Sequence, residues 1–165
     1  MRATTVINPV SPSVGKRVAL SDLVHRYAAG VDDRQFNSVT ALFTAHAELI
    51  VPEPPGTLAP IHSHRGQQAI AEAVAVVTQT IRTEHAIVGE VYDDGARPDR
   101  ADGRIACIAH HWNRRAEELI DVVWHLRYDD EYELTDSGWR ISRRALTINA
   151  TETRPVRRVL ERHPE

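Results

Sequence analysis

A chain of 165 residues is the length of one ordinary domain, and with 42% apolar and 26% charged residues it can bury a sizeable core. Its formal net charge of -3 excludes the basic footprint of a nucleic-acid partner and disfavours an anionic membrane surface. The single cysteine, Cys107, excludes an intramolecular disulfide and a zinc-type cysteine pair, and reads as a small buried hydrophobe in a strand.

Residues 1–15 carry two prolines and no hydrophobic period, which predicts a flexible N-terminal arm without a signal region. No apolar run reaches the roughly 18 residues that a membrane span requires, so a cytoplasmic protein is expected. Leu20, Leu23, Val24, Tyr27, Ala28 and Val31 recur at helical spacing. Ser21 or Asp22 could cap this first helix, and Gly30 with Asp32-Asp33 marks its end. A shorter helix follows, with Phe36, Val39, Leu42 and Phe43 on one face. Glu48-Leu49-Ile50-Val51 reads as a short strand, ended by a proline-rich loop from Pro52 to Pro60 whose apolar composition suits a cover. Ser63 and Gly66 open a third helix that buries Ile70, Ala73, Val74, Val77 and Ile81.

The rest reads as strands: His85 to Tyr92, Arg104 to Arg114, Leu119 to Tyr132 and Trp139 to Ala150. Polar turns lie at Asp93–Gly103 and Asp136-Ser137-Gly138. Residues 152–165 form a charged tail, with a short helix conceivable at Val156–Arg162. One domain over 16–151 follows, and helices first with antiparallel strands last predict the α+β class.

Strand alternation assigns His85, Ile87, Gly89 and Val91 to one face. It assigns Ala106, Ile108, His110 and Trp112 to the apolar face of the next strand, and Ile120, Val122, Trp124, Leu126 and Tyr128 to that of the third. The other face of the third strand, Asp121 to Asp129, reads as mostly solvated. His85 and His110 then point into the core, and a β-bulge would exchange His110 for His111. Asp32 sits near a helix C-terminus, where a carboxylate opposes the helix dipole, so helix stability does not place it there. An Asp–His pair makes chemical sense, because the carboxylate fixes the ring tautomer and raises its basicity. Tyr27, one turn earlier, could bring its hydroxyl to the same place. Neither His62-Ser63-His64 nor His110-His111 comes with a third ligand at metal-site spacing, and no phosphate loop, dinucleotide fingerprint or serine elbow occurs. Arg140, Arg143 and Arg144 read as a solvated basic cluster countered by Glu131 and Glu133.

The segment Asp22-Leu23-Val24-His25-Arg26-Tyr27-Ala28-Ala29-Gly30-Val31-Asp32, with Phe36 and Leu42-Phe43 after it, resembles the opening of the SnoaL-like, scytalone dehydratase-like branch of the NTF2-like superfamily. Arg65-Gly66-Gln67-Gln68-Ala69-Ile70, Thr83-Glu84-His85 with Val88-Gly89, and Gly138-Trp139-Arg140-Ile141 are similar to further marks of that branch, together covering residues 18–150. The resemblance implies a cone-shaped α+β barrel: a strongly bent, mostly antiparallel sheet closed by about three helices around a deep cavity. It implies an Asp–His pair, matched by Asp32 and His85, and a second histidine best matched by His110.

The expected function is a cofactor-independent dehydratase, lyase or isomerase acting on a hydrophobic, oxygenated small molecule. Its candidate catalytic residues are Asp32, His85, His110 and Tyr27. Its candidate pocket is lined by Val24, Phe36, Leu49, Ile70, Val74, Ile108, Trp112, Val122 and Trp124. A homodimer or higher homo-oligomer is implied by resemblance alone. Two alternatives stand beside this reading. One is a non-catalytic binding or assembly subunit, like the small subunits of ring-hydroxylating dioxygenases. The other is a ketosteroid-isomerase kind of enzyme with a single carboxylate base.

Overall fold

A computed structural model describes residues 11–160. Helix α1 spans Val14–Asp32 and is capped by Ser13, whose hydroxyl accepts from the Lys16 amide. It buries Leu20, Leu23, Val24, Tyr27, Ala28 and Val31, the periodic residues of the sequence. Its first turn occupies residues read as arm, because Ser13 rather than Ser21 supplies the cap. The rest of that arm, residues 1–10, lies outside the described residues. Helix α2, Phe36–Thr40, packs over the end of α1, and Gly30 permits the approach. A Cβ on Gly30 would stand 2.7 Å from Val39 Cγ2.

Strand β1 (Phe43–Glu53) is longer than its four-residue apolar signal, and the proline-rich stretch is a hairpin, not a loop. The cis Pro54-Pro55 bond lies in the turn between β1 and β2 (Thr57–Arg65). The prolines that suggested irregular chain therefore sit at the turn (Pro54, Pro55), on the edge strand β2 (Pro60) and at a bulge of β1 (Pro52), where a missing N–H costs no ladder bond. Helix α3, Gly66–Val74, continues as a 3-10 turn over Ala75–Gln79. Strands β3 (Arg82–Asp94), β4 (Arg100–Arg115), β5 (Glu118–Thr135) and β6 (Gly138–Pro155) follow. β6 extends into the stretch read as tail, where Thr151, Glu152 and Thr153 pair with Trp124, Val123 and Val122. Residues 156–160 are not helical, and the remainder of the expected tail helix lies outside the described residues.

The six strands make one open sheet in the order β2-β1-β6-β5-β4-β3, parallel only at β1–β6. The architecture is α+β, a strongly curved, mostly antiparallel sheet with three helices. Its core lies between the concave face and the helices and includes Leu20, Val24, Val39, Phe43, Ile70 and Ile105. Val24 and Ile70, expected in the pocket, are sealed in this core instead, at 1% and 0% exposure. A bulge between Ile87 and Gly89 breaks the alternation of β3. Beyond it Tyr92 is buried, and Val91 is turned out at 59% exposure, so Val91 does not share the face of His85. No helix among the described residues is long and apolar enough to cross a membrane.

Candidate active site

The last turn of α1 holds a carboxylate against the start of β3. Arg34 follows the helix in the left-handed region, with φ 60, and the amides of Asp33 and Gln35 return to Ala29 O and Gly30 O. The Arg34 guanidinium then reaches Thr80 Oγ1 at 2.9 Å and Thr83 Oγ1 at 3.2 Å, tying this turn to the segment that leads into β3.

Asp32 therefore meets His85 with both oxygens. Oδ1 lies 2.7 Å from His85 Nδ1, and Oδ2 accepts the His85 backbone N–H at 2.8 Å. That N–H is available because β3 is an edge strand. Burial works to raise the Asp32 pKa, but the hydrogen bonds and charge of His85, aided by the Thr83 side chain, outweigh it and hold it below the ordinary carboxylate value. An ionised carboxylate only accepts, so His85 carries its proton on Nδ1 and keeps Nε2 as a base. The side chain of His85 is 7% exposed, and it lines a cavity of about 590 Å³.

The second histidine of this cavity is His111, not His110. β4 pairs with β5 so that Ala109 faces Trp124 and His111 faces Val122. Directly paired residues share a face, so the inner face of β4 is Ile105, Cys107, Ala109, His111 and Asn113. His110 lies on the opposite face, stacked on Trp112 at 5.4 Å and bonded through Nδ1 to Asp121 Oδ2 at 2.7 Å. Ile108 and Trp112 share that outer face with it and do not line the cavity. Phe36 packs at the core margin, also away from it. Asp121 and Val123, read as solvated, are buried on this outer side at 3% and 1% exposure.

Of the expected lining, Leu49, Val74, Val122 and Trp124 do face the cavity, as does Tyr27. Asp32 stands behind His85, outside the cavity lining, and contacts its ring. The sequence reading missed His64, Asn113, Leu126, Tyr128 and Leu146 as lining residues; Leu126 and Tyr128 it had placed on the correct face.

His111 is tied by Nδ1 to the Val122 carbonyl at 3.0 Å, so Nδ1 is the protonated nitrogen. Burial pushes its pKa down to about 4, against the pull of that carbonyl bond. An unfolded histidine binds a proton below about 6.5, whereas folded His111 does so only below about 4, so stability falls as pH drops through that window. The full loss is about 3 kcal/mol. Urea unfolding at neutral pH and near the lower limit should show wild type losing about 2–3 kcal/mol more than His111→Asn; equal losses would disprove the neutral, buried state.

Arg144 was read as a solvated charge and is instead fully buried. Its Nε and Nη2 donate to Asp130 at 2.8 and 2.6 Å, and Tyr132 donates to the same carboxylate at 2.7 Å. Its guanidinium carbon lies 4.2 Å from the Tyr27 ring centroid and 4.3 Å from that of Tyr128. Burial alone would lower its pKa, but Asp130 beside it holds it firmly charged. Burial likewise raises the Tyr27 and Tyr128 phenols, which remain proton donors. Among the described residues no three His, Cys, Asp or Glu side chains are grouped to hold a metal ion.

Known proteins share this framework. The SnoaL-like domain model matches residues 12–145. A candidate scytalone dehydratase from Novosphingobium aromaticivorans superposes with a TM-score of 0.71 at 21% identity, over 87% of this chain and 91% of the other. The hexachlorocyclohexane dehydrochlorinase LinA-type3 from Novosphingobium barchaimii superposes with a TM-score of 0.70 at 20% identity, over 92% and 97%. A candidate aromatic ring hydroxylase from Novosphingobium aromaticivorans gives 0.73 at 20%, over 88% and 96%. No curated protein matches by sequence. The match over most of the chain establishes that the protein belongs to the SnoaL-like family.

Proposed function

We propose that this protein is an acid–base lyase or isomerase that abstracts a proton α to a carbonyl in a hydrophobic, oxygenated small molecule. The observation that carries the reading is the Asp32–His85 dyad, whose ring faces a largely apolar cavity. A cavity of that volume and character suits a small organic ligand. The similarity to proteins named as a dehydratase and a dehydrochlorinase supports the reaction type.

In this mechanism His85 Nε2 takes the α-proton, and Asp32 stabilises the imidazolium that forms. The electron pair moves into an enolate, toward whose oxygen the protonated phenols of Tyr27 and Tyr128 can donate. His111, neutral and with Nε2 as an acceptor, orients a substrate hydroxyl and is too weak a base to hold the travelling proton. In a dehydration the His85 proton returns to the leaving β-hydroxyl, the C–O bond breaks, and alkene and water form. In an isomerisation the proton returns to carbon. Such chemistry requires no cofactor.

The test is proton exchange. Bicyclic aromatic ketones with a β-hydroxyl, incubated with the protein in deuterated water, should show α-deuteration or elimination by NMR. His85→Ala should abolish it while ligand binding persists. Exchange that survives in His85→Ala would overturn the assignment.

A further inference from the structure

Of the cavity's polar side chains that the mechanism does not use, Thr80 and Asn113 are bonded within the protein, Gln79 is exposed, and His64 is half-buried. β1, β2 and α3 supply the wall away from β3 and β4, where Leu49, Val51, Pro52, Pro54, Ala73 and Val74 are apolar. His64 stands among them. Its ladder partner is Leu49, and cross-strand partners share a face, so the imidazole is turned toward the cavity. His62, two residues earlier on the same face, is exposed and bonded to Glu53 Oε2 at 3.0 Å. No such bond holds the half-buried ring of His64 among the described residues. A polar ring drawn partly out of water without a partner is unfavourable, and a ligand group in the cavity would relieve that cost.

Sheet topology gives this histidine its meaning. β2 and β3 are the two edge strands, so His64 and His85 are as far apart in sheet order as two residues can be. The curvature of the sheet brings both to one cavity, and Leu126 and Leu146, from strands between them, line the space. His64 and His85 thus enter the cavity from opposite edges of the sheet, with Leu126 and Leu146 lining the space beside the Tyr128 phenol.

We infer that His64 forms a second polar subsite and that the ligand is an apolar body bearing one oxygen function for His85 and another for His64. The first is processed at His85 and the second is read by His64. This rests on the reading of the cavity as a substrate site. An imidazole can donate to a carbonyl or accept from a hydroxyl, so it suits either oxygen function.

Calorimetric titration with a naphthol, and with the naphthalenediol whose hydroxyls stand at opposite ends, tests the subsite. Wild type should bind the diol about fivefold to tenfold more tightly, the range of one well-placed hydrogen bond. His64→Leu should bring the two affinities to parity while naphthol binding is retained. His64→Gln, which keeps a donor and an acceptor, should preserve the preference. A preference absent from wild type, or unchanged in His64→Leu, would overturn the subsite and leave the dyad reading standing if His85-dependent exchange is intact. Failure of both ligands to bind wild type would overturn the subsite together with the substrate-cavity reading beneath it.

Discussion

Asp32→Asn should lower kcat by about a hundredfold to ten-thousandfold, the range for loss of a well-placed acid–base group. The reason is tautomeric. The carboxylate accepts from both the ring and the backbone of His85, which fixes the proton on Nδ1. An asparagine can satisfy the same geometry by turning its amide NH₂ toward Nδ1. The ring proton then moves to Nε2, and the nitrogen facing the cavity becomes a donor. Asn and Asp are nearly isosteric, so substrate affinity should change little and the loss should appear in kcat rather than KM. The chain should stay folded, because the backbone contact to the remaining carbonyl oxygen survives. Burial alone would raise the Asp32 pKa, yet its contacts with His85 keep it below normal, so wild-type activity on the acid side should not be limited by protonation of Asp32. Steady-state kinetics of both proteins across pH check this. A kcat within a few-fold of wild type would show that Asp32 merely completes the helix end.

Arg144→Met should cost about 3–5 kcal/mol of stability, the penalty for removing one partner of a buried ion pair. Both side chains are wholly inaccessible, and among the described residues Asp130 would keep only its side-chain bond from Tyr132. The substitution also removes the cation between the Tyr27 and Tyr128 rings. Replacing both charges, as Arg144→Met with Asp130→Leu, should recover much of the loss, because a well-packed apolar pair is often no worse than the buried ions it replaces. Urea denaturation of the three proteins separates these outcomes. A cost below about 1 kcal/mol for the single variant would mean that water reaches the pair and that burial is not what fixes its strength.

The fold was legible because its periodicities are strong. The helix face from Leu20 to Val31 and the inner face of β5 from Val122 to Tyr128 can be counted off the chain, and Asp32 with His85 stood out as polar groups in apolar patterns. The phase of β4 was not legible in the same way, since Ile105, Cys107 and Ala109 make its other face as apolar as the one that Ala106, Ile108 and Trp112 suggested. One residue decided it. β4 and β5 meet in a two-residue turn, Ala116-Glu117, between the paired Arg115 and Glu118. Counting back from that turn opposes Trp124 to Ala109 and Val122 to His111. The turn was silent because Ala116 occupies a left-handed position, φ 53, where Asn, Asp or Gly would have announced a hairpin. The prolines around Pro54-Pro55 misled in the opposite direction, since they resemble a loop and close a hairpin. Arg144 could not be placed from its neighbours, because its partner Asp130 lies 14 residues away and across a strand pair.

The path of α1 along β3 also bears on association. The helix is fixed to the strand at three heights: Lys16 to Asp94 at one end, Ser21 to Glu90 in the middle, and Asp32 to the backbone of His85 at the other. An edge strand with free backbone groups is a template on which another chain can add itself. Here the helix occupies that flank, and the Asp32 carboxylate takes up one of the edge N–H groups. The Asp32–His85 pair is thus part of what keeps this sheet from growing by one strand at the expense of its neighbours in solution.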